Sequence, residues 1–325
     1  MLEIVSVLID VLEKKEAINF KSFLASVPEN AAWYLISDYC ISDPDKVNDV
    51  LSFSLLLNHD TIDNIKDYIK HFAPVDLKKT RSISEGFVSY VNSPVIYHFS
   101  IIIPREEKLL NNFFTEKDMN YVFDYMNKQC DALKSINADS NNIETANYYA
   151  DVQKRIRVFK QDTKKKNFNK KLLRKIFLAS SFGASIILLL KRYSNPGHVG
   201  WISDRDAIIN TYSGFAFDNM LFWYKIISCA KGMDWTDPQF TFVTPEKTGN
   251  NFLDELIRIP DHVAGTLSSF KIDDKESLLA MKSKHMEFVG YSLVNSENQA
   301  TIKLVYKNSI LSAYNLKLIV NEDEV

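Results

Sequence analysis

Cysteine is scarce in this chain, which has three cysteines among its 325 residues. Cys40, Cys130 and Cys229 lie far apart in the sequence, and no CxxC pair occurs. This spacing argues against a thiolate zinc site and against a disulfide framework. It is typical of proteins in a reducing compartment, so we expect a cytoplasmic location.

The sequence also lacks the short motifs of several enzyme classes. It has no GxxxxGK[ST] or GxGxxG loop, so NTP or dinucleotide binding has no support. No GxSxG elbow occurs, and the six histidines form no HExxH or HxH pair. For His198 and His262, near the candidate site described below, we expect structural roles, with acid–base or ligand chemistry as the alternative.

Neither a large net charge nor a membrane-length apolar run is present. The net charge is −2, so any electrostatic attraction to a partner must be local. The most apolar window, 176–190, has 15 residues, whereas a membrane span needs roughly 20. The amino terminus lacks the basic region of a secretion signal. We therefore expect a buried core helix and no membrane partner.

What the chain does contain is typical of a folded soluble protein. Apolar residues make up 46%, with 21 Phe and 15 Tyr, which indicates a well-filled interior. Periodicity predicts strands at 33–42, 50–57, 95–103, around Trp201 and at 239–244, then at 286–293, 300–306 and 316–320. It predicts helices at 2–25, 60–72, 83–91 and 217–229, one beginning at Pro260, and three between 105 and 190, with a polar break at 137–142. Strands in this order predict a mixed sheet flanked by helices.

Two aspartates follow the apolar segment 198–203, which comes just after a Pro-Gly pair. In a strand, positions i and i+2 face the same side, so Asp204 and Asp206 are expected to project together from its end. Carboxylates are seldom buried without a partner or a metal. The alternative is that both simply cap the following turn.

Three further aspartates lie at comparable positions. Asp38 is near the end of the first predicted strand, Asp76 is in an Asp-Leu-Lys loop, and Asp261 opens the last predicted helix. Converging carboxylates bind hard divalent cations, and two cations about 4 Å apart support phosphodiester hydrolysis. Spacing in sequence does not prove convergence. The alternatives are a turn former (Asp38), a solvated ion pair (Asp76) and a residue that favours the helix dipole (Asp261).

These motifs resemble those of the ribonuclease-H-like nucleases, a large family of unknown biological function found in bacterial and phage-defence contexts. Its layout has an acidic strand end, an acidic-Leu-Lys loop, a later strand ending in aspartate, and an aspartate at the start of the last core helix. Segments 36–39, 76–78, 201–205 and 259–265 match these places in order. Tyr39, Cys40 and Pro260 depart from the family pattern.

The resemblance implies an α/β fold, a ribonuclease-H-like mixed sheet flanked by helices. The core would comprise residues 29–104 and 180–275, with an amino-terminal helix (1–28) packed on it. A helical insertion (105–179) and a small antiparallel β extension (276–325) would complete the chain.

The function implied is hydrolysis of phosphodiester bonds with Mg²⁺ or Mn²⁺, with bacterial defence as its expected context. The catalytic residues would be Asp38, Asp76, Asp204, Asp261 and Lys78. Of these, Asp38, Asp204 and Asp261 would bind metal, with Asp206 as a further ligand. The alternative is a catalytically inactive module on the same fold that binds nucleic acid, or a protein partner from the same locus.

One segment has a strong local charge. Residues 154–175 contain 11 Lys or Arg and one acid, Asp162. Such a patch is the usual source of sequence-independent affinity for nucleic acid, DNA or RNA, and Phe159 and Phe168 are expected to stack on bases. The candidate contacts are Lys164, Lys165, Lys166, Lys170, Lys171 and Arg174. The alternative is a solvated face or a face for an acidic partner.

Overall fold

A mixed sheet of seven strands separates two helical layers in the computed structural model. The structure describes residues 3–234, 238–243, 253–272, 278–280, 283–294 and 296–318. The strands, in chain order, are β1 (Ala32–Cys40), β2 (Asn48–Leu57), β3 (Ile96–Pro104), β4 (His198–Ser203), β5 (Gln239–Val243), β6 (Phe270–Ile272), β7 (Leu278–Ala280), β8 (Gln299–Lys307) and β9 (Ile310–Leu316). Strands β6 and β7 form a separate pair.

The α-helices precede the sheet or lie between its strands in the chain, and four of them follow one another between β3 and β4. They are α1 (Glu3–Val11), α2 (Ala17–Leu24), α3 (Ile62–Phe72), α4 (Glu85–Val91), α5 (Leu109–Asn112), α6 (Glu116–Asp139), α7 (Ile143–Asp162), α8 (Lys170–Tyr193), α9 (Ala207–Asn210), α10 (Phe215–Ala230), α11 (Asp254–Leu267) and α12 (Ser283–Phe288). Short 3₁₀ turns lie at Leu77–Lys79 and Arg105–Glu107. The predicted α/β class and the mixed sheet flanked by helices are confirmed.

The strand order is β5-β4-β1-β2-β3-β8-β9. Strands β1, β2 and β3 pair antiparallel, whereas β4 is parallel to β1 and β5 is parallel to β4. The carboxyl ends of β1 and β4 therefore meet at one edge of the sheet, where Ser37 pairs with Ser203. We call this the carboxyl edge.

Alternation along the strands divides the core in two. Leu35 contributes to a larger core beneath α1, α2 and the long helices, while its neighbour Ile36 contributes to a smaller core beneath α3, α4 and α11. Asp38 lies on the same side of β1 as Ile36, so its side chain is directed toward the α11 layer.

Helix α8 is the segment whose apolar window suggested a core helix. It is the one described helix long and apolar enough to cross a membrane, but 83% of its apolar window is buried within the protein. Leu178, Phe182 and Ile186 contribute to the larger core. The expected core helix is therefore present.

Several predicted elements differ from those observed. The last core helix begins at Asp254 rather than Pro260, which lies inside it. Segment 286–293 is helical, not a strand: α12 runs into a π-helical turn, Val289–Leu293. The carboxyl-terminal strands β8 and β9 pair antiparallel as expected, but β8 also joins the main sheet beside β3. The last strand was predicted at 316–320, whereas β9 spans Ile310–Leu316; residues 317–318 are not in a strand, and 319–320 lie outside the described part of the chain.

Buried His98 on β3 makes stability depend on pH. Its Nδ1 accepts a hydrogen bond from the Ser54 hydroxyl (2.9 Å), and its Nε2 donates to the Val91 carbonyl (3.1 Å). Burial lowers the pKa of His98 to about 4, so the neutral ring is stabilised by folding. This contribution is complete above the ordinary histidine pKa and is lost as the pH falls toward 4.

We therefore predict that the wild type loses about 3 kcal/mol more unfolding free energy than His98→Gln between pH 7 and pH 4. Chemical denaturation of both proteins at a series of pH values measures this difference, and the aspartates common to both cancel. Parallel pH profiles would contradict the prediction.

Candidate functional site

A cavity of about 890 Å³ opens at the carboxyl edge between β1, the Leu77–Lys79 turn and α11. Four of the five aspartates singled out from the sequence, Asp38, Asp76, Asp204 and Asp261, line it together with Lys78. We call it the acidic cavity. Its charged lining residues are Asp38, Asp43, Lys46, Asp45, Asp76, Lys78, Asp204, Asp254, Arg258, Asp261 and Lys284.

Asp38 is the most perturbed carboxyl of this cavity. Burial raises its pKa well above the usual range, and the charges of Asp261 and Asp204 raise it further. Its neighbour Ser37 lies on the opposite face, where its hydroxyl accepts from Trp201 Nε1 (2.9 Å) and donates to Ser203 (2.8 Å). This bonding fixes the orientation of β1, so Asp38 is held beside like charges.

Asp204 follows β4 directly and is exposed at the mouth of the cavity. Its backbone N–H donates to the Ser37 carbonyl (3.1 Å), which continues the parallel pairing of β1 and β4. The aspartates at 38 and 204 thus come from adjacent strands. The Asp204 carboxylate also accepts from the Arg205 N–H (2.7 Å), as a turn-forming aspartate does, so this residue both forms a turn and lines the cavity.

Asp206 has a different environment from the one expected. Strand β4 ends at Ser203, before both aspartates, so strand alternation does not bring Asp206 alongside Asp204. Its carboxylate caps α9 by accepting from the N–H groups of Ile208 (2.8 Å) and Ile209 (3.1 Å). Asp206 is not among the residues lining the acidic cavity. The capping alternative describes its hydrogen bonds. Burial, together with the charge of Asp204, raises the pKa of Asp206 to about 6, so its role as a further ligand stays a prediction.

Asp261 connects α11 to the loop that carries Asp76. Its carboxylate accepts from the Leu77 N–H (2.9 Å). Burial raises its pKa, whereas the Leu77 hydrogen bond and His262 lower it. Asp261 lies inside α11 rather than at its start, so interaction with the helix dipole does not explain its position.

Asp76 and Lys78 lie at the rim. Their side chains are 60% and 80% exposed, and they form ion pairs at 3.8 Å with Lys79 and Asp43, respectively. Exposed pairs of this kind contribute little to stability. The solvated-pair interpretation therefore describes Asp76, although it lines the cavity.

Six further charged residues of the cavity were not among the candidates from the sequence: Asp43, Asp45, Lys46, Asp254, Arg258 and Lys284. Asp254 lies in the first turn of α11 and pairs with Arg205 (Nη2–Oδ2, 3.3 Å). Lys284 donates to the Leu77 carbonyl (2.6 Å), and Lys46 donates to the Gly265 carbonyl (2.8 Å). An acidic residue in the first turn of a helix is a recognisable sequence signal. Asp254 was overlooked because the helix was predicted to begin at Pro260 rather than at Asp254.

The donor atoms of the cavity suit a hard divalent cation, because carboxylate oxygens are the ligands that Mg²⁺ and Mn²⁺ prefer. Among the described residues, no three His, Cys, Asp or Glu side chains form a preformed metal cluster. The carboxylate ligands fit Mg²⁺ or Mn²⁺ chemically. A bound cation would also relieve the repulsion between Asp38 and the carboxylates of Asp204 and Asp261. Ligand closure around an ion therefore requires side-chain adjustment.

Of the two histidines expected near the candidate site, His262 adjoins it through Asp261, whereas His198 does not lie there. The buried His262 ring approaches the Arg258 carbonyl through Nδ1 (2.7 Å) and packs against Phe87. Burial lowers its pKa, which favours a neutral, structural ring. His198 begins β4, at the end of the strand opposite Asp204.

The basic segment spans the end of α7, the following loop and the start of α8. Most of its cations have partners within the protein: Lys154 with Asp151, Arg155 with Asp218, Lys160 with Asp124, Lys165 with Asp162 and Lys170 with Glu116. Arg174 donates to the Phe113 carbonyl (2.6 Å). Phe159 is 1% exposed, so the expectation that it stacks on bases is wrong, and Phe168 is half-buried.

We predict that Asp38→Asn stabilises the metal-free protein at pH 7 by about 1 kcal/mol, because it removes a half-buried, repelled charge. Chemical denaturation with a chelator present measures the change. A loss of stability would contradict a functional origin for the Asp38 charge.

Asp218→Asn is the matched control, since Asp218 is a buried carboxylate with partners. Arg155 Nε donates to it at 2.7 Å and the Tyr148 hydroxyl at 2.8 Å. Breaking this pair leaves the half-buried Arg155 guanidinium without its carboxylate, so this variant should lose about 3 kcal/mol. The same substitution thus has opposite signs at the two sites.

Comparison with known proteins found no matching family model, no matching curated protein and no matching solved structure. The similarity to ribonuclease-H-like nucleases therefore rests on the four short motifs and stays a prediction.

Proposed function

We propose that this protein is a nuclease that hydrolyses phosphodiester bonds with Mg²⁺ or Mn²⁺ in the acidic cavity. The proposal rests on the placement of Asp38, Asp204 and Asp261, which come from three separate parts of the fold and line one cavity. Burial of Asp38 raises its pKa, and the charges of Asp261 and Asp204 raise it further. A purely structural carboxylate would be paired with a cation, as Asp218 is with Arg155. Perturbed carboxyls gathered in a cleft are typical of functional sites.

The residues have separable roles in this proposal. Asp38, Asp204 and Asp261 hold the cations, and Asp254 lies beside them. The chemistry that two divalent cations would supply in this position is activation of a water molecule and stabilisation of the leaving oxygen. Asp261 also orders the Leu77–Lys79 turn, which presents Lys78 toward a phosphate at the rim.

We also propose that the sheet is ribonuclease-H-like and that the protein is cytoplasmic. A ribonuclease-H-like sheet is supported by the adjacent acidic ends of β1 and β4 and by an aspartate on the helix above them. A cytoplasmic location is supported by the three free cysteines. A role in bacterial defence and a protein partner from the same locus stay predictions from the resemblance.

We predict that Asp204→Asn lowers metal-dependent cleavage by about 100-fold or more, since the loss of ligand-supporting groups alone costs up to that amount. The assay uses end-labelled single-stranded and duplex DNA and RNA with Mg²⁺ or Mn²⁺, and a chelator as the blank. Circular dichroism establishes that the variant is folded.

Asp63→Asn is the control for the charge change, because Asp63 lies on α3 with an 80% exposed side chain. It should cleave at the wild-type rate. Undiminished cleavage by Asp204→Asn would contradict the site. Salt-dependent binding without cleavage under any metal would favour the alternative, a non-catalytic nucleic-acid-binding module.

A further inference from the structure

A second cavity, of about 370 Å³, adjoins the acidic cavity at the carboxyl edge, and Ser42 lines both. It is formed by the end of β3, the start of α5 and the first turn of α8. Three cations line it, Arg105, Lys108 and Lys171, with one carboxylate, Asp49. We call these three cations the basic notch.

The fold brings these cations together from distant parts of the sequence. Arg105 follows the last residue of β3, and Lys108 ends the adjoining 3₁₀ turn in the left-handed conformation (φ 48°). Lys171 comes from the start of α8. Burial lowers the pKa of the nearby Lys175, and the positive charge of Lys171 lowers it further, which shows that cations are crowded here.

The charge of the notch is only partly balanced. Arg105 Nε donates to Asp49 Oδ1 (3.1 Å), which also accepts from the Ser42 N–H (2.7 Å). The buried Arg105 Nη2 has no hydrogen-bond partner among the described residues. Lys108 and Lys171 form no ion pair with the described part of the chain. An anion bound here would satisfy all three cations.

The position relative to the acidic cavity suggests which anion. Strands β1 and β3 are separated by β2 alone, so their ends lie roughly 10 Å apart across the sheet. A nucleic-acid strand that enters the acidic cavity and continues along this edge would therefore pass the notch. Arginine and lysine are the usual partners of backbone phosphates.

We propose that the basic notch binds a backbone phosphate of a nucleic-acid strand a few nucleotides from the bond held in the acidic cavity. The identity of that bond rests on the proposed function, whereas phosphate binding in the notch does not. Of the basic segment, only Lys171 contributes to the notch. The substrate class is thus a polynucleotide long enough to span both cavities.

The test compares Lys108→Ala/Lys171→Ala with the charge-matched control Lys70→Ala/Lys128→Ala, whose exposed lysines lie on α3 and α6. Binding of a fluorescent single-stranded oligonucleotide of about 12 nucleotides is measured with a chelator present, over a range of salt concentrations. The notch variant should bind about 10-fold more weakly. Its plot of log affinity against log salt should be less steep by about 0.7 for each phosphate that the variant no longer neutralises. Equal effects in both variants, or none, would overturn the proposal.

A cleavage assay separates this proposal from the proposed function. With Mn²⁺, the notch variant should hydrolyse bis(p-nitrophenyl) phosphate as the wild type does, because this small diester occupies the acidic cavity alone. Its KM for the oligonucleotide should rise about 10-fold, because the notch no longer neutralises a backbone phosphate. If the wild type cleaves neither substrate, the proposed function is wrong. The binding comparison would still show whether the basic notch binds a backbone phosphate.

Discussion

Repulsion between carboxylates at one edge of the sheet is the constraint around which this structure is arranged. Asp38 is half-buried and lies near Asp204 and Asp261, and both its partial burial and these charges raise its pKa. Two of the cations that line the cavity donate to backbone carbonyls, Lys284 to that of Leu77 and Lys46 to that of Gly265. Folding therefore retains an unfavourable charge arrangement, which natural proteins tolerate mainly where function requires it.

The fold creates this arrangement through two sets of hydrogen bonds. Parallel pairing of β1 with β4 sets Asp38 beside Asp204, and the Ser37 hydroxyl, bonded to Trp201 and Ser203, holds the opposite face of β1. On the other side, Asp261 joins α11 to the Leu77 turn. The acidic cavity and the basic notch share Ser42, so sites for cations and for phosphates adjoin each other.

Periodicity in the sequence predicted β1 to β4, the three long helices and the core character of α8, because these elements bury continuous apolar faces. It failed where local signals were ambiguous. Pro260 is favoured in a first helical turn but lies inside α11, which hid Asp254. The segment 286–293 has an alternating pattern yet is helical, since tertiary packing overrides weak β propensity. Convergence of the aspartates depends on strand order, and the burial of Phe159 depends on helix packing. Neither can be read from the spacing of residues along the sequence.

Binding of Mn²⁺ is the most direct test of the account, because a cation in the acidic cavity would relieve the repulsion at Asp38. Isothermal titration of the wild type and of Asp38→Asn with Mn²⁺ at pH 7 measures it. The account predicts saturable binding to the wild type that weakens as the pH falls, since protons compete for the raised-pKa carboxyl, and at least about 10-fold weaker binding to Asp38→Asn. Equal Mn²⁺ affinity of the two proteins would contradict it.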